Sequence, residues 1–398
     1  MSGGGACGAA AVPDAADRTA RLALSRLSEP GDDDLASLVE RQGAVEVFDR
    51  LRAGHLPHPR AEAWSVRLSS LDVERDLERA HRVGARWLVP GDEEWPAQLG
   101  DLARLGEAGR PDHAPPLGLW VRGPLRLSDA APHAVAVVGS RAASHYGVHV
   151  ARGIGYDLAA AGHPVLSGAA YGIDASAHDG ALAADGPTVA VLACGIDEVY
   201  PRGNASLVAR IGEHGAVVTE MAPGAAPTRL RFLRRNRLIA ALSGATVVVE
   251  ADLRSGALNT ARLASVLLRH VAAVPGPVTS ATSAGCHRLI RDEQSVLVRD
   301  AADVVELVSP VGTGIRDEPR GPVTLFDALD PAARRVVEAL PARAVTDPQT
   351  LARVAGLDLA TVQAALTRLE IAGLAQREVG GWRAFRPPAP GGSPARHR

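Results

Sequence analysis

Residues 136–147 read AVVGSRAASHYG, and this stretch decides the fold. An apolar run over 133–138 stops at Gly139, and a helical pattern starts near Tyr146. A strand that ends on glycine and opens onto a helix is how an α/β sheet builds an anion site. Gly139 lets a phosphate approach the backbone, and Arg141 offers a fork of donors that suits phosphate. In the dinucleotide-binding motif G-x-G-x-x-G, the second glycine lets a pyrophosphate lie against the loop. Arg141 stands in its place here, so we expect a phosphate at the outer surface of the loop rather than a buried pyrophosphate.

The composition bounds the class of protein. The 398 residues suggest two or three domains with a sizeable core. All 43 basic residues are arginine and nearly balance 45 acidic residues, so positive charge for a nucleic acid must be local. Cys7, Cys194 and Cys286 are too few and too scattered for a disulfide framework or a zinc site, so we expect no metal and a reducing cytoplasm. No basic start precedes an apolar stretch and no run approaches about 20 apolar residues, so we predict neither a secretory signal nor a membrane span.

Apolar runs of four to six residues alternate with helical patterns through the middle of the chain. This alternation predicts strands that are buried on both faces of a mostly parallel sheet. Ligands bind such sheets at the carboxyl ends of the strands. The predicted strands are 115–121, 133–138, 163–167, 188–193, 216–219, 245–250 and 270–274, and residues 86–90 start the α/β region.

We predict an α/β chain with an extended Rossmann-like, mostly parallel sheet, a small helical N-terminal domain and a C-terminal winged helix. Helical stretches at 331–340, 348–355 and 358–372, followed by a hairpin that turns at Gly380-Gly381, indicate the winged helix. The predicted segments are a disordered start (1–16), the helical domain (17–85), the Rossmann domain (86–307), a Pro/Gly-rich linker (308–326), the winged helix (327–386) and a disordered tail (387–398).

Loops that follow the predicted strands carry the candidate functional residues. The densest charge run, 227–238, holds five arginines and no acid. Such a run is often a solvated helix face. Several phosphates of a strand would need such a stripe, however, whereas a mononucleotide would need one or two charges. A glycine turn at 255–261 opens another helix and is a plausible anion nest.

A residue pair and a single tyrosine leave alternatives open. Asp174 and His178 share a helix face, either as an acid–base pair or as a first-turn acid near a structural histidine. Tyr200 either stacks a base or anchors its loop, and the neighbouring Asp197-Glu198 should partly face away from phosphate. The sequence has no paired-carboxylate site, no serine nucleophile elbow and no H-E-x-x-H motif. Many N–H groups, hydroxyls and arginines converge without a clear general base, which favours a binding protein over an enzyme.

Taken in order, these loops resemble the DprA/Smf family of DNA-processing proteins. The resemblance runs over residues 86–300, with three departures. His287 replaces the asparagine of GCNxLI, and Glu293-Gln294 stands where the family then has GA. Leu233-Arg234 stands where the family has phenylalanine-proline before RNR. The motifs are VGSRxxSxYG (Val138–Gly147), SGxAxGIDxxAH (Ser167–His178), GxDxxYPxxN (Gly195–Asn204), RNRxIAxLS (Arg235–Ser243), SGALxTAxxA (Ser255–Ala264) and VPG (Val274–Gly276).

The resemblance implies a sequence-independent single-stranded DNA-binding recombination mediator. It implies a homodimer that protects incoming DNA in natural transformation and loads RecA recombinase, with SAM-like N-terminal helices and no cofactor. The residues that would bind single-stranded DNA and its phosphates are Gly139, Ser140, Arg141, Ser167, Gly168, Asn204, Arg235, Asn236 and Arg237, with Arg202 as the basic residue of the YPxxN loop.

Other functions stay open at this stage. The winged helix has eight arginines against five acids over 331–386, and it would bind duplex DNA or dock a protein. A Rossmann-like nucleotide hydrolase would use Asp174 and Glu250 as its acids. A nucleotide-sensing regulator would bind one mononucleotide and read duplex DNA with the winged helix.

Overall fold

The computed structural model describes residues 13–111, 113–310 and 329–385. They fall into two compact units, Met1–Arg316 and Asp317–Arg398. The predicted tail at 387–398, and most of the predicted disordered start and linker, lie outside the described residues. No helix in the described part of the chain combines the length and the hydropathy that crossing a membrane requires.

Helices open the first unit. Aspartates cap three of them through their side chains, because a carboxylate satisfies otherwise unpaired N–H groups. The cap at Asp14 starts the first helix at Ala15, two residues before the predicted helical domain. Leu22 and Ala80 belong to the same core as Trp120 of the sheet, so this layer shares a compact unit with the sheet and a separate domain stays a prediction. The helices are α1 (Ala15–Leu27), α2 (Asp33–Gln42), α3 (Ala44–Arg52), α4 (Ala61–Ser65) and α5 (Val73–Arg82).

A nine-stranded sheet forms the centre of the first unit, and it confirms the predicted mostly parallel α/β architecture. The strands are β1 (Ala85–Leu88), β2 (Leu119–Arg122), β3 (Val135–Val138), β4 (Val165–Ser167), β5 (Thr188–Val191), β6 (Ala216–Thr219), β7 (Ala245–Val248), β8 (His270–Ala273) and β9 (Val296–Leu297). Their order is β1-β2-β6-β5-β4-β3-β7-β8-β9. Strands β3 to β9 pair in parallel, and β1 and β2 join antiparallel at the β6 edge.

Helices cover both faces of the sheet, which is why the strands are apolar almost throughout. Val138 and Val248 belong to one core, whereas Val137 and Val247 belong to the core on the other face. The helices are α6 (Ala103–Glu107), α7 (Leu127–Ala130), α8 (His145–Ala160), α9 (Ile173–Ala183), α10 (Ala205–His214), α11 (Arg229–Ala241), α12 (Gly256–Val266), α13 (Ala284–Arg291) and α14 (Ala301–Val308). Short 3-10 turns lie at Leu68–Ser70, Ala97–Leu102, Ala131–His133, Arg202–Asn204 and Ala281–Ser283.

The strand order reverses at β3. Strands β4 to β6 lie on one side of it, and β7 to β9 lie on the other. Loops that leave β3 and β7 therefore diverge and open a crevice at the carboxyl ends, which is where open α/β sheets bind ligands. The fold thus selects one edge of the sheet for the candidate site.

The second unit is a winged helix, as predicted. Its elements are α15 (Pro331–Ala339), α16 (Pro348–Ala355), α17 (Leu359–Ile371) and the hairpin β10 (Ala375–Glu378) with β11 (Gly381–Ala384). An aspartate caps each helix, and Gly356 ends α16 in the left-handed conformation. Val336, Leu351 and Leu366 form part of its separate core.

Candidate nucleic-acid interface

A cavity of about 700 Å³ lies over the point where the strand order reverses. Its lining comes from the loops after β3, β4, β5, β6 and β7, from helix α11 and from the starts of α9 and α12. Four of the lining side chains are arginines and two are aspartates. The edge of the sheet that the sequence selected therefore holds an open, cationic cavity.

Glu250 fixes the loop between β3 and α8 through hydrogen bonds. The Ser140 N–H donates to the Glu250 carbonyl at 2.7 Å. The buried Glu250 carboxylate accepts from Ser144 N at 2.9 Å, from Ser144 Oγ at 2.6 Å and from Thr282 Oγ1 at 3.0 Å. The anion at the start of α8 is therefore the protein's own carboxylate, which corrects our expectation of a phosphate there. Glu250 is one of the two candidate acids of a nucleotide hydrolase, and both of its carboxylate oxygens accept hydrogen bonds from protein groups.

Gly139 and Gly147 are small because the protein packs tightly around them. A Cβ at Gly139 would lie 2.6 Å from Cγ1 of Ile173 and 2.7 Å from the carbonyl oxygen of Glu250. A Cβ at Gly147 would collide with the Glu250 carboxylate. The sequence predicts that Gly139 lets a phosphate approach, whereas in the structure packing between the loop and α9 explains this glycine.

Helix α11 divides the arginine run between two faces. Arg229 and Arg235 line the cavity. Arg231 forms an ion pair with Glu29 at 3.0 Å, and the fully buried Arg237 pairs with Glu220 at 2.6 Å. The run is therefore not a continuous stripe, because residues two apart on a helix point in different directions.

Arg141 lies on the same side of the molecule as the cavity-lining face of α11. Its guanidinium carbon is 4.8 Å from the centroid of the Phe232 ring, and that of Arg235 is 5.9 Å from the same centroid. Within the described residues, neither Arg141 nor Arg229 forms an ion pair. The charges of these two exposed arginines are therefore available to a ligand.

Arg235 is the buried cation of the cavity. It is 7% exposed, it donates to the carbonyl of Val191, and its Nε has no partner among the described residues. Burial lowers its pKa to about 10, while nearby Asp174 opposes the shift, so Arg235 stays charged at neutral pH. A Cβ at Gly168 would collide with this guanidinium, which explains the glycine.

Asp174 and His178 do not form an acid–base pair in the cavity. Asp174 lines the cavity and accepts from Gly168 N at 3.1 Å, and burial raises its pKa. His178 is fully buried, with Nδ1 2.7 Å from Thr188 Oγ1. Burial, with the charge of Arg235, lowers the His178 pKa to about 3. The structure therefore favours the second interpretation, a first-turn acid with a structural histidine.

Acidification is expected to destabilise the protein through His178. Its folded-state pKa of about 3 lies below the ordinary value of 6.5, so between these values the unfolded chain binds more protons and stability falls as pH falls. Between pH 7 and pH 5 this histidine contributes a loss of about 2 kcal/mol in the free energy of unfolding. Urea unfolding at both pH values should show this loss in the parent but not in His178→Gln. Equal losses in the two proteins would contradict the assignment.

The cavity holds half of the predicted DNA-binding residues. Gly139, Ser140, Arg141, Arg235 and Asn236 line it. Ser167 and Asn204 lie behind it: Ser167 Oγ donates to Val137 O at 2.6 Å and Asn204 Nδ2 donates to Ala169 O at 2.9 Å. Gly168 lies against Arg235, Arg237 is sequestered by Glu220, and Arg202 is exposed outside the lining. A DNA contact by any of these residues stays a prediction.

Phe232 and Arg254 also line the cavity, and neither residue is among those predicted from the sequence. Phe232 lies one residue before the Leu233-Arg234 pair, and its ring centroid is 5.5 Å from that of Tyr200. Its position three residues before Arg235 puts both on one helix face, a signal that the sequence contained. Arg254 precedes Ser255, the N-cap of α12, so a cation next to the predicted anion nest was a second signal.

The third helix of the winged-helix unit, α17, carries little positive charge that is not paired with an acid. Arg368 is the only arginine of α17, and it lies 2.9 Å from the Asp330 carboxylate. In the hairpin, Arg383 lies 3.0 Å from Glu378. Duplex DNA binding and protein docking by this unit therefore both stay predictions.

Comparison with known proteins gives consistent matches. Residues 86–309 match the family model of DNA recombination-mediator protein A, and residues 322–381 match that of the DprA winged helix domain. The chain is 48% identical over 373 residues to the DNA processing protein DprA of Mycobacterium tuberculosis, covering 93% of this chain and 95% of that protein. It is 36% identical over 303 residues to protein Smf of Escherichia coli, covering 74% and 76%.

Two solved structures are also similar. The X-ray structure of DprA from Streptococcus pneumoniae has a TM-score of 0.60 at 28% identity, and the match covers 74% of this chain and 98% of that one. The structure of DNA processing protein A from Helicobacter pylori, which describes its single-stranded DNA binding mode, has a TM-score of 0.50 at 27% identity, covering 57% and 97%.

Proposed function

Because this chain belongs to the DprA/Smf family of DNA-processing proteins, we propose that it binds single-stranded DNA without sequence preference in the cavity over the strand reversal. One observation carries the proposal: Arg141, Arg229 and Arg254 are exposed around a cavity whose buried cation is Arg235. Arginine forks suit phosphate oxygens, and phosphate contacts carry no sequence information.

Backbone donors on the far side of the cavity support phosphate binding. Ser255 caps α12, and the first turn of this helix, at Gly256 and Ala257, lines the cavity. The start of α8 is neutralised by Glu250, but the described residues bring no such carboxylate hydrogen bond to the start of α12. A helix N-terminus beside Arg254 favours an anion. Phosphate would therefore be held between Ser140-Arg141 and the start of α12.

Aromatic side chains in the cavity suit unpaired bases. Tyr200 is 44% exposed, and the Phe232 ring lies beside it. Stacking on such rings accepts every base, and the unstacked bases of a single strand are free to use it. In this proposal Ser140, Arg141, Arg235 and Asn236 contact the strand next to Gly139, while Ser167, Gly168, Asn204 and Arg237 support the site from behind.

We assign no catalytic step to the site. The two carboxylates in the lining accept hydrogen bonds from backbone N–H groups. Asp174 accepts from Gly168 N, and Asp252 accepts from Arg254 N at 2.6 Å. Glu250 is engaged in the same way with Ser144. This arrangement supports a binding protein rather than a nucleotide hydrolase.

The cellular role that we propose rests on the family. The matched family model is described as that of DNA recombination-mediator protein A. The proposed role is therefore a cytoplasmic homodimer that protects incoming DNA in natural transformation and loads RecA recombinase. This role rests on the family resemblance, whereas the proposed DNA contact rests on the cavity.

Binding should depend on salt and on strandedness. With about three exposed arginines on phosphates, log K for oligo(dT) is expected to fall with log salt concentration with a slope of about −2, since each single-strand contact contributes about 0.7. Fluorescence anisotropy with labelled oligo(dT) of about 20 nucleotides measures this slope. Unlabelled duplex should compete poorly. A slope near zero, or equal competition by duplex, would refute the proposal.

A further inference from the structure

The cavity is too small for a polymer, so a bound strand must leave it. Its volume of about 700 Å³ is that of a small-molecule pocket. On the α12 side, the Asp252 carboxylate lines the cavity together with Arg254, so this side carries both an acid and a cation. On the opposite side, the loops after β4 and β5 form the rim. This rim is one path by which a strand would leave the cavity.

Tyr171 lies on this rim, between two residues that locate it. Ala170 before it lines the cavity. Gly172 after it touches the arginine loop, because a Cβ there would lie 2.7 Å from the carbonyl oxygen of Arg141. Gly172 has a φ of +77°, which turns the chain into α9. Tyr171 therefore lies between a lining residue and a glycine that touches the loop of Arg141, and it is not itself part of the lining.

The Tyr171 ring is supported on one side and open on the other. A Cβ on Gly203 would lie 3.1 Å from Cε1 of Tyr171 and closer still to its hydroxyl, so the ring lies against the Arg202–Asn204 turn. Tyr171 is nevertheless 49% exposed. The hydrogen bond from Asn204 Nδ2 to Ala169 O, at 2.9 Å, ties this turn to the Tyr171 loop. The aromatic surface is therefore held in place by two linked loops.

The turn against this ring brings one exposed cation, and the same loop carries two acids, Asp197 and the exposed Glu198. Arg202 is exposed in the supporting turn and forms no ion pair within the described residues. Asp197, in the same loop after β5, is directed away: it lies 2.9 Å from Arg79 and accepts from Gly224 N at 2.6 Å. A phosphate beside Tyr171 would thus meet Arg202, while the Asp197 charge is compensated elsewhere.

We propose that Tyr171 is a nucleobase-stacking platform outside the cavity, with Arg202 beside it for the adjoining phosphate. The strand leaves the cavity over the rim formed by the loops after β4 and β5. This proposal rests on the proposed function, since it extends the same binding site by at least one nucleotide. It also gives Asn204 a positioning role, because Asn204 joins the two loops that hold the ring.

The test compares Tyr171→Leu, Tyr171→Phe and the parent on oligo(dT) of two lengths. Stacking of one base contributes enough that Tyr171→Leu should weaken binding of a long oligonucleotide by about 5- to 100-fold. Tyr171→Phe keeps the ring and should bind as the parent does. A dinucleotide that fills only the cavity should bind all three equally. Tyr156→Leu, on the exposed surface of α8, is the matched control.

Abasic DNA separates stacking from support of the loop. The parent should lose affinity when the bases outside the cavity are removed, whereas Tyr171→Leu should bind abasic and normal strands alike. Equal long-strand affinity in Tyr171→Leu and the parent would overturn the proposal. An equal loss for the dinucleotide and the long strand would also overturn it, because the ring would then only support the cavity. Failure of the parent to bind any oligonucleotide would instead refute the proposed function.

Discussion

Replacement of Glu220 by alanine is expected to lower the free energy of unfolding by about 3–5 kcal/mol, because it leaves a buried cation without its partner. Arg237 is fully buried, and its Nη2 donates to both oxygens of Glu220, at 2.8 and 2.6 Å. Its Nε and Nη1 have no partner among the described residues. Burial raises the pKa of Glu220, and the charge of Arg237 opposes this. Glu220 is thus the counter-ion of Arg237.

Chemical unfolding measures this loss. Arg50→Ala is the control, because its ion pair with Glu46 is half-exposed on both sides and should cost at most about 1 kcal/mol. The double variant Glu220→Leu with Arg237→Met should recover most of the stability, since apolar replacement of a buried pair is often neutral. A loss in Glu220→Ala as small as that in the control would contradict the assignment of a buried pair.

Replacement of Arg141 or Arg229 by alanine is expected to weaken single-stranded DNA binding by about 10- to 100-fold. Both arginines are exposed at the cavity, and a charged hydrogen bond contributes about 1.5–3 kcal/mol. Each variant should also reduce the magnitude of the salt slope by about 0.7. Anisotropy titrations of oligo(dT) at several salt concentrations give both quantities.

Arg231→Ala is the matched control for Arg229→Ala. It lies on the same helix, two residues away, but it is paired with Glu29 on another face. It removes the same charge from the protein and should leave the salt slope and the affinity nearly unchanged. If Arg231→Ala weakened binding as much as Arg229→Ala, the arginines would act through general charge and the cavity would not be the binding site.

Much of the fold could be predicted because strands that are buried on both faces of a sheet appear in the sequence as short apolar runs. The strand predicted at 216–219 is β6, residue for residue, and the helix predicted at 348–355 is α16. Apolar runs give parallel strands, and the chain alternates them with helices. The predicted strand at 115–121 differs more, since β2 is Leu119–Arg122 and three of the first four predicted residues are Pro115, Pro116 and Gly118. Proline cannot donate to a sheet.

The position of the candidate site could be predicted from the sequence, but the set of residues that line it could not. The loops after β3 and β6 were identified because ligands gather at the carboxyl ends of the strands. The arginine run at 227–238 was identified as one cationic stripe, yet Glu29 and Glu220 neutralise two of its members. Glu29 lies 202 residues away from Arg231 in sequence. No local pattern predicts such a pairing.

The sequence by itself determined the elements, the edge of the sheet at which ligands bind and the family, because hydrophobic period, turn chemistry and motif spacing are local properties. Only the tertiary structure decided which cations are free, that Glu250 fills the anion position at α8, and that Tyr171 lies on the rim of the cavity. The physical reason is that charge and exposure depend on neighbours in space, and packing brings those neighbours from distant parts of the chain.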